Sequence, residues 1–174
     1  LIEQLGDVDG VTYSALVLSN SGLERLLSTK IKHVQLSFAV SDGFNMKNIR
    51  RTTDESIVEM KKIVDKAKSH DKKINVILGT VFGCPYDGRV ELERVMDIAG
   101  EFVEVGVDEI TFADTVGLAN PNKIAQAVQL FQATHGEFPL GLHLHNTRGS
   151  GLANALAGLQ NGITRFDSSI GGIG

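Results

Sequence analysis

Two histidines stand two residues apart in the segment PLGLHLHNTRG, at the end of an apolar run. Successive side chains of an extended strand point to opposite faces, so His143 and His145 are expected to project from one face of one strand. Two neighbouring imidazoles are typical ligands of a divalent metal ion. The pair therefore indicates a metal site, against the plainer alternative of two surface or hydrogen-bonded histidines.

Other residues capable of acid–base, nucleophilic or ligand chemistry collect near the ends of predicted strands. Asp114 closes the fourth predicted strand, and Asp167 lies midway along the sixth. Asp42 and Asn48 follow the second strand, and Cys84 follows the third. Active sites of parallel α/β folds lie at the carboxyl ends of the strands, so this shared location favours function. Each residue also has a structural alternative, such as a turn cap for Asp114 or an internal hydrogen bond for Asp167.

Strand and helix patterns alternate along the chain. Apolar and β-branched runs predict six strands, at 11–19, 33–40, 74–82, 107–113, 138–145 and 163–170. Helical spacing predicts five helices, at 23–30, from Thr52 to about 70, at 91–105, from Asn120 to about 134, and at 149–160. Thr52 and Glu55 form a capping-box pattern, and Asn120 with Pro121 is typical of a helix start. The polar stretch 41–51 is expected to be a connection.

This alternation predicts an α/β fold with a parallel sheet, in a single domain over residues 1–174. Two architectures compete. An open doubly wound sheet suits a chain of 174 residues, whereas a complete TIM barrel needs eight βα units and typically about 250 residues. Length alone favours the open sheet, yet neither glycine-rich nucleotide-binding motif of such sheets is present.

Composition excludes several classes of function. The chain is 42% hydrophobic and 22% charged, with a net charge of −4 and no tryptophan, so nucleic acid is a poor candidate partner. No apolar run approaches the roughly 18 residues expected of a membrane span. The single cysteine excludes an internal disulfide.

The chain contains, in this order, the motifs GCPYDG, DTVG followed by ANP, HLHNTRG, GLANALAGLQNG and RFDSSIGGIG. Together these motifs resemble those of the 3-hydroxy-3-methylglutaryl-CoA lyase family, one of the metal-dependent lyases and synthases built on a TIM barrel. Isopropylmalate and homocitrate synthases share the His-x-His strand and the DT-G turn, whereas GCPY and DSSIGG-G indicate the lyase branch. The resemblance implies a TIM (β/α)₈ barrel of which this chain supplies about strands three to eight, and that incompleteness predicts low stability for the chain alone.

The resemblance also implies a reaction: metal-dependent cleavage of 3-hydroxy-3-methylglutaryl-CoA to acetoacetate and acetyl-CoA, as in leucine degradation and ketone-body formation. It implies that His143 and His145 bind Mg²⁺ or Mn²⁺, that His143 also transfers a proton, and that Asp114 is a second catalytic residue. Asn48 matches a position that contacts the acyl-CoA. The family's Arg-Asp-Gly motif, its catalytic cysteine and a metal-binding asparagine have no match here, so Cys84 is not expected to be the catalytic cysteine.

Two residues differ from the family's pattern, so the exact substrate is not assigned by the resemblance. Ile77 stands where the family often has an aromatic residue, and Asn146 stands where lyases commonly have aspartate. A condensing synthase of the same superfamily and a non-catalytic α/β binding module remain alternative functions. The resemblance further implies an acyl-CoA substrate as partner, no nucleic-acid or membrane partner, a homodimer of the full-length protein, and a location in the bacterial cytoplasm or, in a eukaryote, the mitochondrion.

Overall fold

The computed structural model describes residues 2–172, which form one parallel sheet with helices packed on one face. The strands are β1 (Ser14–Val17), β2 (His33–Ala39), β3 (Lys73–Gly79), β4 (Glu109–Asp114), β5 (Leu140–Leu144) and β6 (Arg165–Phe166). The helices are α1 (Asn20–Leu27), α2 (Asp42–Ile49), α3 (Thr53–Lys68), α4 (Leu92–Glu104), α5 (Pro121–His135) and α6 (Gly151–Gln160), with short 3₁₀ turns at Ile2–Gln4 and Ile170–Gly172.

The order of the strands decides between the two predicted architectures. Each strand pairs in parallel with the next one in the chain, in the order β1-β2-β3-β4-β5-β6. A doubly wound sheet reverses its strand order at a switch point, whereas a TIM barrel adds each strand beside the previous one. The open sheet that chain length favoured is therefore wrong, and the partial barrel is confirmed.

The two faces of the sheet differ in polarity. On β3, Ile74, Val76 and Leu78 are buried under the helices, and on β4 the ring of Phe112 packs edge-on against Phe131 of α5 at 5.4 Å. The opposite face is polar: the amide of Asn75 and the hydroxyl of Thr111, for example, exchange hydrogen bonds of 2.9 and 3.1 Å. The core therefore lies between sheet and helices, and the other face lines the inside of the partial barrel.

Local capping fixes where two of the helices begin. Thr52 and Glu55 form both bonds of the predicted capping box at the start of α3. Asn120 caps α5 through its side chain, and Pro121 occupies the first turn. These starts follow from residue types, since each side chain satisfies backbone N–H groups that a helix leaves free.

Several predicted boundaries need correction. The first strand, predicted over 11–19, is limited to Ser14–Val17, and the first helix, predicted over 23–30, spans Asn20–Leu27 because the Ser19 side chain caps it. The stretch 41–51, predicted as a connection, contains helix α2, in which Asn45 is the buried residue. The sixth strand, predicted over 163–170, is limited to Arg165–Phe166 because it pairs only with β5 within residues 2–172. The third strand ends at Gly79, since Thr80 takes a positive φ of 58°. None of the helices in the described part of the chain is long and apolar enough to cross a membrane.

Candidate active site

His143 and His145 converge at the carboxyl end of β5. His143 belongs to the strand, and His145 follows it directly. Their Nε2 atoms lie 3.2 Å apart, and their ring centroids 5.1 Å apart. Leu142, between Gly141 and His143, instead contacts α6 on the helix side. The predicted projection of both rings from one face, the inner face, is therefore confirmed.

The distance between the two Nε2 atoms fits a shared metal ion. Two ligand atoms bound at about 2.1 Å lie roughly 3.0 Å apart in octahedral and roughly 3.4 Å apart in tetrahedral coordination. The observed 3.2 Å falls between these values. Within residues 2–172 no three of the histidine, cysteine, aspartate and glutamate side chains cluster as a metal-binding group. The two imidazoles are thus a pair of candidate ligands and not a complete coordination sphere.

Asp167 orients His143 from the neighbouring strand. Its Oδ2 lies 2.8 Å from Nδ1 of His143, and both side chains are a little over one-third exposed. The parallel register brings them together, because Leu142 pairs with Phe166 and the Asp167 N–H donates to the Leu142 carbonyl at 3.1 Å. A carboxylate on Nδ1 selects the tautomer with a free lone pair on Nε2. Asp167, a sequence candidate whose structural alternative was an internal hydrogen bond, thereby joins the candidate site.

Asp114 ends β4 one residue beyond Ala113, which pairs with His143. Its side chain is 1% exposed, and its carboxylate accepts bonds of 2.8–3.1 Å from the N–H groups of Leu118 and Ala119. Burial raises the pKa of Asp114, while these N–H groups and the charge of His145 act to lower it. The turn-capping alternative is therefore realised, at the same edge of the sheet as the histidines.

The other sequence candidates have separate environments. Asn48 is exposed on α2. The Asp42 carboxylate accepts the Thr53 N–H at 2.6 Å, which joins α2 to α3. Cys84 is 2% exposed, and its Sγ accepts N–H groups of the following turn at 3.3 and 3.4 Å. Asn48 thus has a free face for a ligand, whereas Asp42 and Cys84 are engaged in local structure.

A cavity of about 600 Å³ lies beside the GCPYDG turn, and the histidine pair is not among its lining residues. Cys84, Lys123 and Arg148 contribute to its wall. Shape alone would select this cavity, but the chemistry favours the histidines. On the inner face of the sheet, a second cavity of about 540 Å³ has Asp167, the partner of His143, in its wall.

One feature of this edge carried no sequence signal. Thr80 is fully buried and has a left-handed backbone, and it bonds to residues at the ends of the strands on both sides. Threonine is β-branched and rarely adopts positive φ, so residue type argues against such a conformation. Only the three-dimensional structure identifies it.

Residues 4–174 match the HMGL-like family. (R)-citramalyl-CoA lyase of Chloroflexus aurantiacus is 41% identical over 93% of this chain and 51% of its own length. Hydroxymethylglutaryl-CoA lyase YngG of Bacillus subtilis is 38% identical over 95% of this chain and 55% of its own. The chain therefore spans about half the length of these curated relatives.

Solved structures agree with the sequence relatives. The HMG-CoA lyase of Bacillus subtilis superposes with a TM-score of 0.92 at 38% identity, covering 97% of this chain and 56% of that chain. An HMG-CoA lyase from Acinetobacter baumannii, solved in complex with coenzyme A and 3-methylmalate, gives a TM-score of 0.92 at 30% identity, covering 98% and 56%. With the matched motifs, the partial-barrel topology and this similarity over nearly its whole length, the chain belongs to the HMGL-like family.

Proposed function

We propose that the full-length protein is a metal-dependent carbon–carbon lyase that cleaves 3-hydroxy-3-methylglutaryl-CoA to acetoacetate and acetyl-CoA. The observation that carries the proposal is the convergence of the His143 and His145 Nε2 atoms at 3.2 Å. Family membership supports the reaction class, and relatives named hydroxymethylglutaryl-CoA lyase support the substrate.

The two Nε2 atoms are the proposed protein ligands of a divalent cation, Mg²⁺ or Mn²⁺. When bound, the ion would act as a Lewis acid on the substrate hydroxyl and on a neighbouring carbonyl or carboxylate oxygen. Both ions prefer oxygen ligands, so two imidazoles alone should hold either weakly. We therefore expect tight binding to require further oxygen ligands.

In the proposed reaction, a base takes the proton of the tertiary hydroxyl, the C3 carbonyl of acetoacetate forms and the bond between C2 and C3 breaks. The electron pair stays on C2 as the enolate of acetyl-CoA, which is then protonated. The proton that His143 can exchange while Nε2 serves as a ligand is the one on Nδ1, which faces Asp167 at 2.8 Å. Asp167 would accept this proton or return it, and its charge would compensate positive charge on the ring.

Asp114 stays a predicted catalytic residue. Its burial and its bonds to Leu118 and Ala119 N–H groups support a role in holding the loop after β4 beside the histidines. Asn48 stays a predicted contact of the acyl-CoA, supported by its exposure on α2. An acyl-CoA partner is further supported by the Acinetobacter relative solved with coenzyme A. The homodimer, and the bacterial cytoplasm or mitochondrion as location, also stay predictions.

Citramalyl-CoA is a second candidate substrate, because one relative of 41% identity is named (R)-citramalyl-CoA lyase. Asn146, which stands where lyases commonly have aspartate, follows His145 directly, and its Oδ1 accepts the Gly151 N–H at 2.8 Å. An asparagine there removes a negative charge that a lyase aspartate would carry. Which of the two acyl-CoA esters is the substrate is therefore the question that the assay must answer within this reaction class.

The test is steady-state cleavage of both esters by the full-length protein, with Mg²⁺, with Mn²⁺ and with a chelator. We expect metal-dependent release of acetyl-CoA from at least one ester. His143→Ala should lower the rate by roughly 10²–10⁴-fold, the range of a positioned acid–base group, whereas His70→Ala should not. Folded protein that cleaves neither ester would reject the proposal, and condensation of acetyl-CoA with a keto acid would favour the synthase alternative.

A further inference from the structure

Thr80 is a non-glycine residue with a left-handed backbone, one strand end away from Asp114. It follows β3, has a φ of 58° and is completely buried. β-Branched side chains rarely take this conformation, and such outliers persist only where surrounding contacts enforce them. The contacts that enforce it here are hydrogen bonds to both neighbouring strand ends.

Thr80 makes three hydrogen bonds, two of which cross to the ends of neighbouring strands. Its Oγ1 lies 2.8 Å from the Ser41 Oγ, which follows β2, and also donates to the Gly79 carbonyl at 2.7 Å. Its N–H donates to the Thr115 Oγ1, which follows β4, at 2.8 Å. Thr80 thus joins the ends of three consecutive strands, two of which lead into segments of the proposed site.

Ser41 is the N-cap residue of α2, yet it makes no side-chain capping bond to its own helix. A serine at this position ordinarily accepts an N–H of the first turn. Here its hydroxyl is instead bonded to Thr80. The capping bond comes from the segment after β3, since the Asp87 Oδ2 accepts the Gly43 N–H at 2.7 Å.

The approach of Asp87 also requires a glycine in α2. A Cβ atom at Gly43 would collide with the Asp87 carboxylate. The Tyr86 ring lies 6.2 Å from Phe44, one residue further into the helix. The start of α2 is therefore held by residues that follow β3, namely Thr80 on the buried side and Asp87 on the exposed side.

We propose that Thr80 is a positioning residue that orients α2, and with it Asn48, for binding of the acyl-CoA. The inference rests on the proposed function, which assigns Asn48 to the substrate. In this positioning role, the hydroxyl of Thr80 acts through Ser41 and does not contact the substrate. Its loss is expected to weaken substrate binding more than the bond-breaking step.

Matched substitutions separate the hydroxyl from packing. Thr80→Val keeps the volume and the β-branching, so strain and packing are held constant while the hydroxyl is lost. Thr80→Ser keeps the hydroxyl. Ser41→Ala removes the same bond from its other end and leaves Thr80 in place. Val64→Ala truncates a fully buried residue of α3 and serves as the control for general destabilisation.

Two readouts are required: hydrogen–deuterium exchange of a peptide covering α2, and kcat and KM for 3-hydroxy-3-methylglutaryl-CoA. Thr80→Val and Ser41→Ala should speed exchange in α2 and raise KM by about five- to ten-fold, the effect of one lost hydrogen bond, with a smaller change in kcat. Thr80→Ser should resemble wild type, and Val64→Ala should lower the melting temperature without either effect.

The proposal is overturned if both hydroxyl-removing variants lower the melting temperature as Val64→Ala does but leave α2 exchange and KM unchanged. Absence of acyl-CoA turnover in the wild type is a separate outcome, which rejects the proposed function. In that case the exchange of α2 still decides whether Thr80 positions the helix.

Discussion

His143 and Asp167 lie side by side on neighbouring parallel strands, with 2.8 Å between Nδ1 and Oδ2. Because Nε2 of the same ring lies 3.2 Å from His145, both nitrogens of His143 are engaged. The carboxylate therefore controls which nitrogen carries the proton, and through it the ability of the ring to bind a cation.

Asp167→Ala should lower metal affinity or activity by about 10–100-fold, the usual effect of losing a carboxylate behind a ligating histidine. Metal titration of the full-length protein by calorimetry measures this change. The melting temperature should change little, because the side chain is 38% exposed. Asp97→Ala, an exposed acid on α4, is the control, and equal metal affinity in the two variants would contradict the role given to Asp167.

Asp114 should make stability depend on pH. Burial raises the pKa of Asp114 above its ordinary value of 3.8, so the folded state binds its proton more tightly than the unfolded state does. This contribution is complete below the ordinary pKa and is lost as pH rises through the raised pKa. Ionisation of Asp114 therefore lowers the free energy of unfolding.

Asp114→Asn should flatten that pH dependence, because the amide keeps an acceptor for the loop N–H groups but carries no charge. Asp114→Ala should destabilise the protein at every pH, because Leu118 and Ala119 lose their acceptor. Urea denaturation of metal-free protein between about pH 4 and pH 7 measures both effects. Identical pH profiles for wild type and Asp114→Asn would show that burial does not perturb this carboxyl.

Asn154 and Asn45 should respond oppositely to the same substitution. Both are buried, but neither amide atom of Asn154 has a hydrogen-bond partner within residues 2–172, whereas Asn45 makes three bonds, two of them to Ala39. Asn45→Ala should lower the free energy of unfolding by about 2 kcal/mol, and Asn154→Ala should leave it unchanged or raise it. Chemical denaturation compares them, and an equal loss would mean that Asn154 has partners beyond the described residues.

Cys84→Ser should leave turnover close to wild type. Its Sγ accepts two N–H groups of its own turn, and a serine hydroxyl accepts the same bonds. A small loss of stability is expected from placing a more polar group at a site 2% exposed. Steady-state cleavage together with a melting curve tests this, and loss of turnover in folded protein would make Cys84 a catalytic residue.

Most of the fold was predictable because its signals are local. The capping residues Thr52 and Asn120 mark helix starts, and β-branched runs mark the strands. Helix α2 was missed because its start is held from a distance, by Asp87 in place of its own cap residue. The length of the sixth strand was overestimated because an apolar run does not reveal how many residues find a partner strand.

The histidine pair was predictable from its spacing, since alternation along a strand is a property of the backbone. The bond between His143 and Asp167 depends on the register of β5 and β6, which residue types alone do not fix. The bonds of the Asp114 carboxylate to the Leu118 and Ala119 N–H groups depend on the path of the loop after β4. Sequence therefore identified residues near the site, and tertiary register determined their partners.

The chain contains one cysteine, and its thiol is almost completely shielded in a turn between β3 and α4. A thiol-reactive dye can reach it only when this turn opens, so the labelling rate measures that opening in the native protein. Within residues 1–174 the label can attach only at Cys84, so peptide mapping of the labelled protein gives the rate for this position. The labelling rate of Cys84 thus reports local unfolding of the segment between β3 and α4.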